Sequence, residues 1–458
     1  MRPDQLFICG AHSLTYGAFW QGAERLAAAL EITAGDRVAM QVEKSVEALQ
    51  LYLATVLAGG IFLPLNPAYT RSETLYFLED ATPSVFVTSE PEGWPVPRTL
   101  TLEALVAKGH HGFKTVPRGP EDLAAILYTS GTTGRAKGAM LSHRALASNA
   151  QTLQKAWRFT AEDRLIHALP VFHTHGLFVA TNVALIAGAS LDFLAGFSVE
   201  RIINAMPTAT VLMGVPTFYT RLLTADGLAQ AATNMRLFIS GSAPLLASTH
   251  QNWHSRTGHT ILERYGMTET NMNTSNPYNG DRRAGTVGLP LAGVELRLDA
   301  PEGEVGGIEV RGNNLFSGYW NMPEKTAEEL RPDGWFITGD LGQIDEDGYV
   351  TIVGRGKDMI ISGGFNIYPK EVEEIIDAIP QVQESAVIGV PDDDLGERVV
   401  AVVVLQSDTN KAAIIEAASQ KLAGYKCPRD IDFVEALPRN SMGKVQKNEL
   451  RKRLENKG

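Results

Sequence analysis

The stretch from Leu127 to Gly138 combines small hydroxyl residues, glycines and one lysine in a pattern that suits phosphate groups. Its glycines allow close backbone approach, its N–H groups and hydroxyls can donate hydrogen bonds to anionic oxygens, and Lys137 adds a positive charge. The G-x-x-x-x-G-K-[ST] spacing of the Walker A loop is absent. A surface turn could have the same composition, since Ser, Thr and Gly cluster in turns for local reasons. The candidate contacts to the phosphates of ATP are Thr129, Ser130, Gly131, Thr132, Thr133, Gly134 and Lys137.

Three further polar stretches follow this loop along the chain. Residues 263–270 read ERYGMTET, residues 337–340 and 354–358 read ITGD and GRGKD, and residues 438–444 read PRNSMGK. Together with YTSGTTGRAKG they resemble, in the same order, the motifs of the adenylate-forming superfamily, which includes acyl-CoA synthetases, luciferases and the adenylation domains of peptide synthetases. Four motifs in one order are far more specific than any one of them, so the chain is identified as a member of this superfamily.

The composition excludes several classes of protein. The 458 residues are 44% hydrophobic and 20% charged, which is typical of a globular enzyme of two or more domains. The formal net charge of −11 argues against nucleic-acid binding, which needs basic surfaces. No apolar stretch reaches the roughly 20 residues of a membrane-spanning helix, and the N-terminus has no secretory or transit pattern. We therefore expect a cytoplasmic monomer or weak homodimer that binds small molecules and neither nucleic acid nor membrane.

The order of apolar segments predicts the fold class. Helical and strand periodicities alternate through the first 350 residues, which indicates an α/β fold with a largely parallel sheet. Ser142 is placed to cap a helix, so the phosphate loop is expected between a strand and that helix. The family resemblance implies a large N-terminal domain of parallel or mixed sheets flanked by helices, residues 1–356, and a small mobile α+β domain, residues 357–458.

The resemblance also implies roles in the first half-reaction, in which a carboxylate attacks the α-phosphorus of ATP and pyrophosphate leaves. Glu269 resembles the ligand of Mg²⁺, Lys444 the catalytic lysine, and His173 the residue that walls the carboxylate pocket. Asp340 and Arg355 match the contacts to the ribose hydroxyls. The segments expected to pack against the rest of the nucleotide contain Gly241, Ser242, Ala243, Tyr265, Gly266, Met267 and Thr268.

The second half-reaction transfers the acyl group to a thiol at the same site. The resemblance implies that the small domain rotates about the hinge residue Lys357, which replaces Lys444 at the site with the loop that contains Gly363 and Gly364. These glycines are expected to line the channel for the thiol. No carrier-protein segment follows Gly458, so we expect coenzyme A as the acceptor.

The identity of the acid is predicted from four longer runs. LPVFHTHGLFVATN, MGVPTFYTRLL, RLFISGSAPL and ERYGMTETNMNTSNPYNGDRRAGTVG resemble malonyl-CoA synthetases. A dicarboxylate needs a pocket cation for the carboxylate that does not react, ideally an arginine. Arg283 is the first candidate for this role and Arg236 the second. The predicted product is malonyl-CoA, with methylmalonate as a further substrate. The alternatives are a ligase for oxalate or a monocarboxylate, and an adenylate-binding relative that makes no thioester.

Overall fold

The computed structural model describes residues 2–10, 13–129, 136–363, 365–392, 395–440 and 443–455. Its strands form four sheets, three of them built before residue 356 and one after it. The strands of the first three sheets are, in chain order, β1 (Leu6–Cys9), β2 (Leu14–Thr15), β3 (Arg37–Gln41), β4 (Ile61–Pro64), β5 (Val85–Thr88), β6 (Arg98–Leu100), β7 (Leu123–Thr129), β8 (Lys137–Ser142), β9 (Arg164–His167), β10 (Ser190–Phe193), β11 (Val211–Gly214), β12 (Leu237–Ser240), β13 (Leu262–Met267), β14 (Asn271–Ser275), β15 (Leu289–Pro290), β16 (Val294–Asp299), β17 (Gly306–Gly312), β18 (Phe336–Ile344) and β19 (Val350–Arg355).

The two largest sheets are mainly parallel. The nine-stranded sheet has the order β15-β14-β13-β12-β11-β9-β10-β1-β2, with parallel pairing from β13 to β1, and the six-stranded sheet has the order β6-β5-β3-β4-β7-β8. Their central strands are short and apolar on both faces, as expected for parallel strands covered by helices. The third sheet, β16-β17-β18-β19, is antiparallel throughout. Mixed and parallel sheets flanked by helices confirm the predicted fold class.

The helices begin where the sequence supplies capping side chains. Ser45 and Ser142 each accept a hydrogen bond from a backbone N–H at the start of a helix, and Thr70 forms a capping box with Glu73. The α-helices before residue 356 are α1 (Tyr16–Leu30), α2 (Val46–Leu57), α3 (Arg71–Ala81), α4 (Leu102–Lys108), α5 (His143–Ala156), α6 (Asn182–Ala187), α7 (Val199–Ala205), α8 (Pro216–Leu222), α9 (Leu228–Ala231), α10 (Ala247–Thr257) and α11 (Pro323–Glu329).

The surroundings of the phosphate loop differ from the prediction. The loop does not run directly from a strand into a helix, because β8 follows it and pairs antiparallel with β7, with Thr129 opposite Lys137. Helix α5 begins only after β8, where Ser142 caps it as predicted. The run from Lys137 to Ser142 was ambiguous in the sequence, and its long-range pairing with β7 decides its conformation. The loop therefore joins the two strands of a hairpin.

The chain after residue 356 forms its own sheet and its own apolar clusters. Its elements are β20 (Ile360–Ser362), β21 (Phe365–Ile367), α12 (Pro369–Asp377), β22 (Val382–Asp392), β23 (Gly396–Leu405), α13 (Lys411–Ser419), β24 (Asp430–Val434) and α14 (Lys447–Glu455). Buried side chains from Ile360 onward pack in two clusters, and those clusters include no residue from before Ile360. The boundary predicted at Lys357 falls between the two sets of clusters and stays a prediction. Within the described ranges, no helix combines the length and the apolarity needed to cross a bilayer.

Candidate active site

The carboxyl ends of β12 and β13 lie side by side and carry two of the predicted nucleotide segments. β12 leads into Gly241, Ser242 and Ala243, and β13 ends in Tyr265, Gly266 and Met267, followed by Thr268. Ligands bind at this edge of parallel sheets because the loops that follow neighbouring strands converge there. Gly266 is required by packing, since a Cβ atom there would lie 1.9 Å from the backbone oxygen of Asn271. The predicted adenine-contact segments are thus adjacent in the fold.

Asp340 and Arg355 face each other across the β18–β19 hairpin. They are partners in the strand register, and the Arg355 Nε atom lies 2.7 Å from Asp340 Oδ1. The Tyr265 hydroxyl donates to Asp340 Oδ2 at 2.6 Å, which ties this pair to the end of β13. A buried carboxylate held from two sides has a fixed orientation, which is what a bidentate grip on two ribose hydroxyls needs. The structure therefore brings Asp340, Arg355 and Tyr265 together, and their assignment to the nucleotide stays a prediction.

Glu269 lies in the turn between β13 and β14 and is only 4% exposed. Its Oε1 accepts a hydrogen bond from the Tyr319 hydroxyl at 3.1 Å. Burial raises the pKa of Glu269, while the positive charges of Lys137 and Arg355 lower it in part. Among the described residues, no lysine or arginine lies within ion-pair distance of its carboxylate. A buried carboxylate without a direct cationic partner fits a Mg²⁺ ligand, because the cation would supply the missing charge.

Lys444 is held in a tight turn beside the nucleotide segments. Its backbone N–H donates to Asn440 Oδ1 at 2.9 Å, and Asn440 N–H donates to the Lys444 carbonyl at 2.9 Å. Gly443 precedes it with φ of +74°, and a Cβ there would meet Thr217 of the large domain. Burial and the Arg355 guanidinium lower the pKa of Lys444, and the carboxylates of Asp340 and Glu269 oppose that effect. The lysine thus lies within electrostatic range of the predicted ribose and metal residues.

His173 and His175 flank the start of an unusual π-helical segment, His175–Thr181. Such segments are uncommon and often occur at functional sites. Burial lowers the pKa of His173 to about 4, so its imidazole is neutral at physiological pH. His175 Nδ1 lies 3.2 Å from the Ser242 hydroxyl, and Ser242 has φ of +72°, in the left-handed region. The segment therefore contacts the loop after β12, and the role of His173 in the wall of the acid pocket stays a prediction.

The structure contradicts the prediction that Arg283 faces this site. Its guanidinium forms ion pairs with Asp281, Asp345 and Asp347, at 3.0, 2.8 and 2.6 Å. Asp345 and Asp347 form the turn of the β18–β19 hairpin, whereas Asp340 lies toward its opposite end. Five residues of strand separate Asp340 from Asp345 by about 16 Å. The sequence around Arg282 and Arg283 does not show that Asp345 and Asp347 pair with Arg283, because these aspartates contact it only in the folded chain.

Arg236 is also placed away from the acid pocket. It precedes β12 at the amino end of that strand, while Gly241 follows the carboxyl end, about 16 Å away at the usual strand rise. Its Nε and Nη2 atoms each lie 2.7 Å from a carboxylate oxygen of Asp163. Arg236 therefore serves a structural ion pair, and the prediction that it grips the acid is wrong.

Arg264 is the cationic residue that sequence reasoning missed. It lies in β13, is 4% exposed, and its Nε and Nη2 atoms have no hydrogen-bond partner within the described part of the chain. It packs against Gly241 so closely that a Cβ there would lie 2.5 Å from Arg264 Cζ. Burial lowers its pKa to about 9. The available signal was an arginine two residues before the motif glycine Gly266, since buried arginines are rare unless paired.

Further buried polar atoms without a partner belong to the residue before Gly241 and to the start of the π-helical segment. Among the described residues, His175 Nε2, Thr174 Oγ1 and Ser240 Oγ are buried and make no hydrogen bond. Burial lowers the pKa of His175, and the positive charge of Arg264 lowers it further. Unsatisfied buried donors are costly, so such a cluster indicates a site that an anionic ligand completes.

The remaining predicted residues fall into three groups. Ser130, Gly131, Thr132, Thr133, Gly134 and Gly364 lie outside the described residues. Thr129 ends β7, and its hydroxyl donates to the Lys137 carbonyl at 3.4 Å, while the Lys137 amine points to Glu329 at 3.1 Å. Lys357 lies in a short 3₁₀ turn, Gly356–Asp358, and Gly363 has φ of +56° in the turn between β20 and β21. Their assignments as hinge and channel residues stay predictions.

Comparison with known proteins agrees with this geometry. Residues 1–320 match the family described as AMP-binding enzyme. The chain belongs to this family. Residues 371–444 match the C-terminal domain of AMP-binding enzymes. The superfamily predicted from the four motifs is thereby confirmed.

Several relatives of this AMP-binding enzyme resemble it over almost all of its length. The chain is 54% identical to ATP-bound MatB from Rhodopseudomonas palustris, with a TM-score of 0.96 and coverage of 99% of this chain and 96% of that one. A malonyl-CoA ligase solved as a ternary product complex with methylmalonyl-CoA and AMP is 40% identical, with a TM-score of 0.71 and coverage of 95% and 97%. The malonate–CoA ligase of Arabidopsis thaliana is 37% identical over 92% of this chain and 78% of its own length.

Proposed function

We propose that this AMP-binding enzyme is a malonate–CoA ligase, which uses ATP to make malonyl-CoA through malonyl-AMP and releases AMP and pyrophosphate. The observation that carries the choice of acid is the buried, unpaired guanidinium of Arg264, which lies in β13 and packs against Gly241. A monocarboxylate ligase would have no use for such a cation in its acid pocket. The activities named for the relatives support the same choice.

In the proposed pocket, Arg264 binds the carboxylate of malonate that does not react. Its Nε and Nη2 atoms form one edge of the guanidinium, which can donate two parallel hydrogen bonds to one carboxylate. The imidazole of His175, in the π-helical segment, and the hydroxyl of Ser242, in the loop after β12, lie 3.2 Å apart and can complete the polar surface. Because Arg264 and His175 are buried, the pocket penalises acids that leave them unpaired.

In the proposed first half-reaction, the second carboxylate of malonate attacks the α-phosphorus of ATP and pyrophosphate leaves. Asp340 and Arg355 hold the ribose, and Lys137 with the phosphate loop holds the β- and γ-phosphates. Lys444 brings its ammonium group to the attacking carboxylate and the α-phosphate, where negative charge accumulates. Catalysis by these groups consists of positioning and charge stabilisation, which are the main means of phosphoryl-transfer catalysis.

The buried carboxylate of Glu269 fits a Mg²⁺ ion bound beside the nucleotide phosphates. Glu269 would hold Mg²⁺ together with the nucleotide phosphates and water, since one carboxylate plus phosphates is a common Mg²⁺ site. When bound, the cation neutralises charge on the leaving pyrophosphate. The Glu269 carboxylate is buried, and its Oε1 lies 3.1 Å from the Tyr319 hydroxyl oxygen.

For the second half-reaction we propose rotation of residues 357–458 about Lys357, which withdraws Lys444 and brings Gly363 and Gly364 to the adenylate. The thiolate of coenzyme A then attacks the carbonyl of malonyl-AMP, the C–O bond to AMP breaks, and AMP leaves. The separate apolar clusters on either side of Lys357 support such a division, since each part has a core of its own.

The test is pyrophosphate release from ATP and Mg²⁺, with and without coenzyme A, for malonate, methylmalonate, oxalate, acetate and octanoate measured side by side. We expect malonate to have the highest kcat/KM, with methylmalonate second. Release that does not depend on coenzyme A, with no thioester formed, would instead support an adenylate-binding relative. We further propose that the enzyme acts in the cytoplasm as a monomer or weak homodimer, which fractionation and sedimentation velocity would test.

A further inference from the structure

Lys137, Tyr319 and Glu329 form a network beside the predicted metal ligand. The Lys137 amine lies 3.1 and 3.4 Å from the two carboxylate oxygens of Glu329, and 4.0 Å from the centre of the Tyr319 ring. The Tyr319 hydroxyl lies 2.5 Å from Glu329 Oε2 and 3.1 Å from Glu269 Oε1. One tyrosine thus joins the carboxylate of Glu269 to a second carboxylate at the end of α11.

The backbone fixes this tyrosine where the two glutamates meet. Residues 317–320 run along β8, where Ser317 N–H donates to Met140 O and Trp320 N–H donates to Gly138 O. The Tyr319 backbone N–H donates to the hydroxyl of Thr326 in α11. The ring is almost fully buried. Its position is therefore set by β8 and α11, and the remaining freedom is the direction of the hydroxyl hydrogen.

The Tyr319 hydroxyl hydrogen can form a short hydrogen bond to only one of the two carboxylates. A phenol has a single donor hydrogen, and the oxygen distances of 2.5 and 3.1 Å show that the shorter bond is made to Glu329. Hydrogen bonds to ionised acceptors are short and strong, so Glu329 competes effectively for this donor. The lone pairs of Glu269 are then left available for a cation.

We propose that Glu329 is a positioning residue for the metal–nucleotide site: it draws the Tyr319 hydrogen away from Glu269 and orients the Lys137 amine toward the phosphates. This inference rests on the proposed adenylation chemistry and adds Glu329, which none of the sequence motifs contains. Without Glu329, the Tyr319 hydroxyl would turn to Glu269 and compete with Mg²⁺ for its oxygens. Lys137 would also lose the carboxylate that holds its amine.

The chain offers a matched control in the preceding residue. Glu328 has the same side chain on the same helix, but it is exposed and pairs with Lys325 at 2.7 Å. Lys325 also contacts Glu329, so both variants disturb the same surface lysine. A difference between Glu328→Gln and Glu329→Gln therefore reports the contacts to Tyr319 and Lys137.

The experiment measures ATP binding by calorimetry without any acid, once with EDTA and once with excess Mg²⁺. We expect the gain in ATP affinity caused by Mg²⁺ to fall on the order of tenfold in Glu329→Gln, the size of one hydrogen bond to a charged group. Glu328→Gln should keep the gain. The double variant Glu329→Gln with Tyr319→Phe should recover it, because the competing hydrogen is gone.

Two results would overturn the proposal. One is a Mg²⁺-dependent gain in Glu329→Gln within twofold of the parent, and the other is an equal loss in Glu328→Gln. If Glu329→Gln does not fold, Tyr319→Phe alone decides, since it must keep or increase the gain and a tenfold loss would contradict the mechanism. The titrations contain no acid, so an error in the assignment of malonate would not affect them and would appear only in the comparison of acids.

Discussion

Replacement of Arg264 by methionine tests two effects of this residue separately: its contribution to malonate binding, and the stability that the ligand-free protein loses by burying a charged guanidinium. Methionine keeps an unbranched stem of similar length and removes the charge. The Nε and Nη2 atoms of Arg264 make no hydrogen bond within the described chain, so the substitution breaks none of the described hydrogen bonds of the guanidinium. We expect Arg264→Met to lose activity on malonate while the ligand-free protein remains at least as stable as the parent.

The stability side follows from the pKa of Arg264, which burial lowers from 12.5 to about 9. At roughly 1.36 kcal/mol for each pKa unit, keeping this group charged costs the folded, ligand-free protein about 5 kcal/mol. A base whose pKa is lowered in the folded state destabilises that state at every pH at which it is charged. The cost to stability is therefore present in full below pH 9 and disappears as the pH rises toward 12.5, the pKa in the unfolded chain. At neutral pH, methionine removes the cost, so the unfolding temperature should stay the same or rise.

The binding side follows from the hydrogen bonds that the guanidinium would make to malonate. A hydrogen bond to a charged group contributes about 1.5–3 kcal/mol. At tenfold for each ~1.4 kcal/mol, kcat/KM for malonate should fall about 10- to 150-fold. For 3-methylbutyrate, in which an isopropyl group replaces the distal carboxylate, kcat/KM should rise instead, because no unpaired cation remains in the pocket.

The assay is steady-state pyrophosphate release with both acids, together with thermal unfolding of the ligand-free proteins. Arg283→Met is the control, because Arg283 lies at the turn of the β18–β19 hairpin among three aspartates. The control should keep its kcat/KM for malonate within about twofold, as expected for a surface position. A malonate kcat/KM in Arg264→Met within threefold of the parent would refute the assignment, as would an equal loss in Arg283→Met.

Two further predictions concern residues around the pocket. Lys444→Ala should slow formation of malonyl-AMP by about 10²–10³-fold, the usual cost of one charge-stabilising donor, yet still convert supplied malonyl-AMP to malonyl-CoA. Equal losses in both half-reactions would contradict this role. Because the pKa of Lys444 is lowered, the parent enzyme should also lose adenylation activity as the pH rises through a value below 10.5. Gly241→Ala should lower kcat/KM for malonate by roughly tenfold or more, since the new Cβ would lie 2.5 Å from Arg264 Cζ and overpacking costs about 1–3 kcal/mol. Gly196→Ala is the matched control, because a Cβ there meets nothing within 4 Å. A similar loss of kcat/KM in Gly196→Ala would remove the steric explanation.

Much of the fold could be predicted from local patterns. Capping serines such as Ser45 and Ser142 mark helix starts wherever they precede an apolar helical face, and both lie at the N-caps of helices. The hairpin after the phosphate loop could not be predicted, because the conformation of β8 depends on its pairing with β7. Strand propensity is weak compared with such long-range pairing.

The candidate site shows the same division between local and long-range information. Glu269, Asp340, Arg355 and Lys444 lie in motifs, so the sequence could predict their roles; the structure pairs Asp340 with Arg355, and the charges of Arg355, Asp340 and Glu269 act on the pKa of Lys444. The cation for the acid was misassigned because sequence does not show which arginines already have acidic partners. Arg283 and Arg236 acquire theirs only when distant turns close on them, whereas Arg264 has none within the described chain.

The most direct test of the central claim is a competition among acids in a single reaction. Equal concentrations of malonate, methylmalonate, oxalate, acetate and octanoate compete for limiting ATP and coenzyme A, and mass spectrometry measures the acyl-CoA products, whose ratios equal the ratios of kcat/KM. We predict that malonyl-CoA dominates and that methylmalonyl-CoA is second. Predominance of acetyl-CoA or octanoyl-CoA would contradict both the malonate assignment and the role of Arg264.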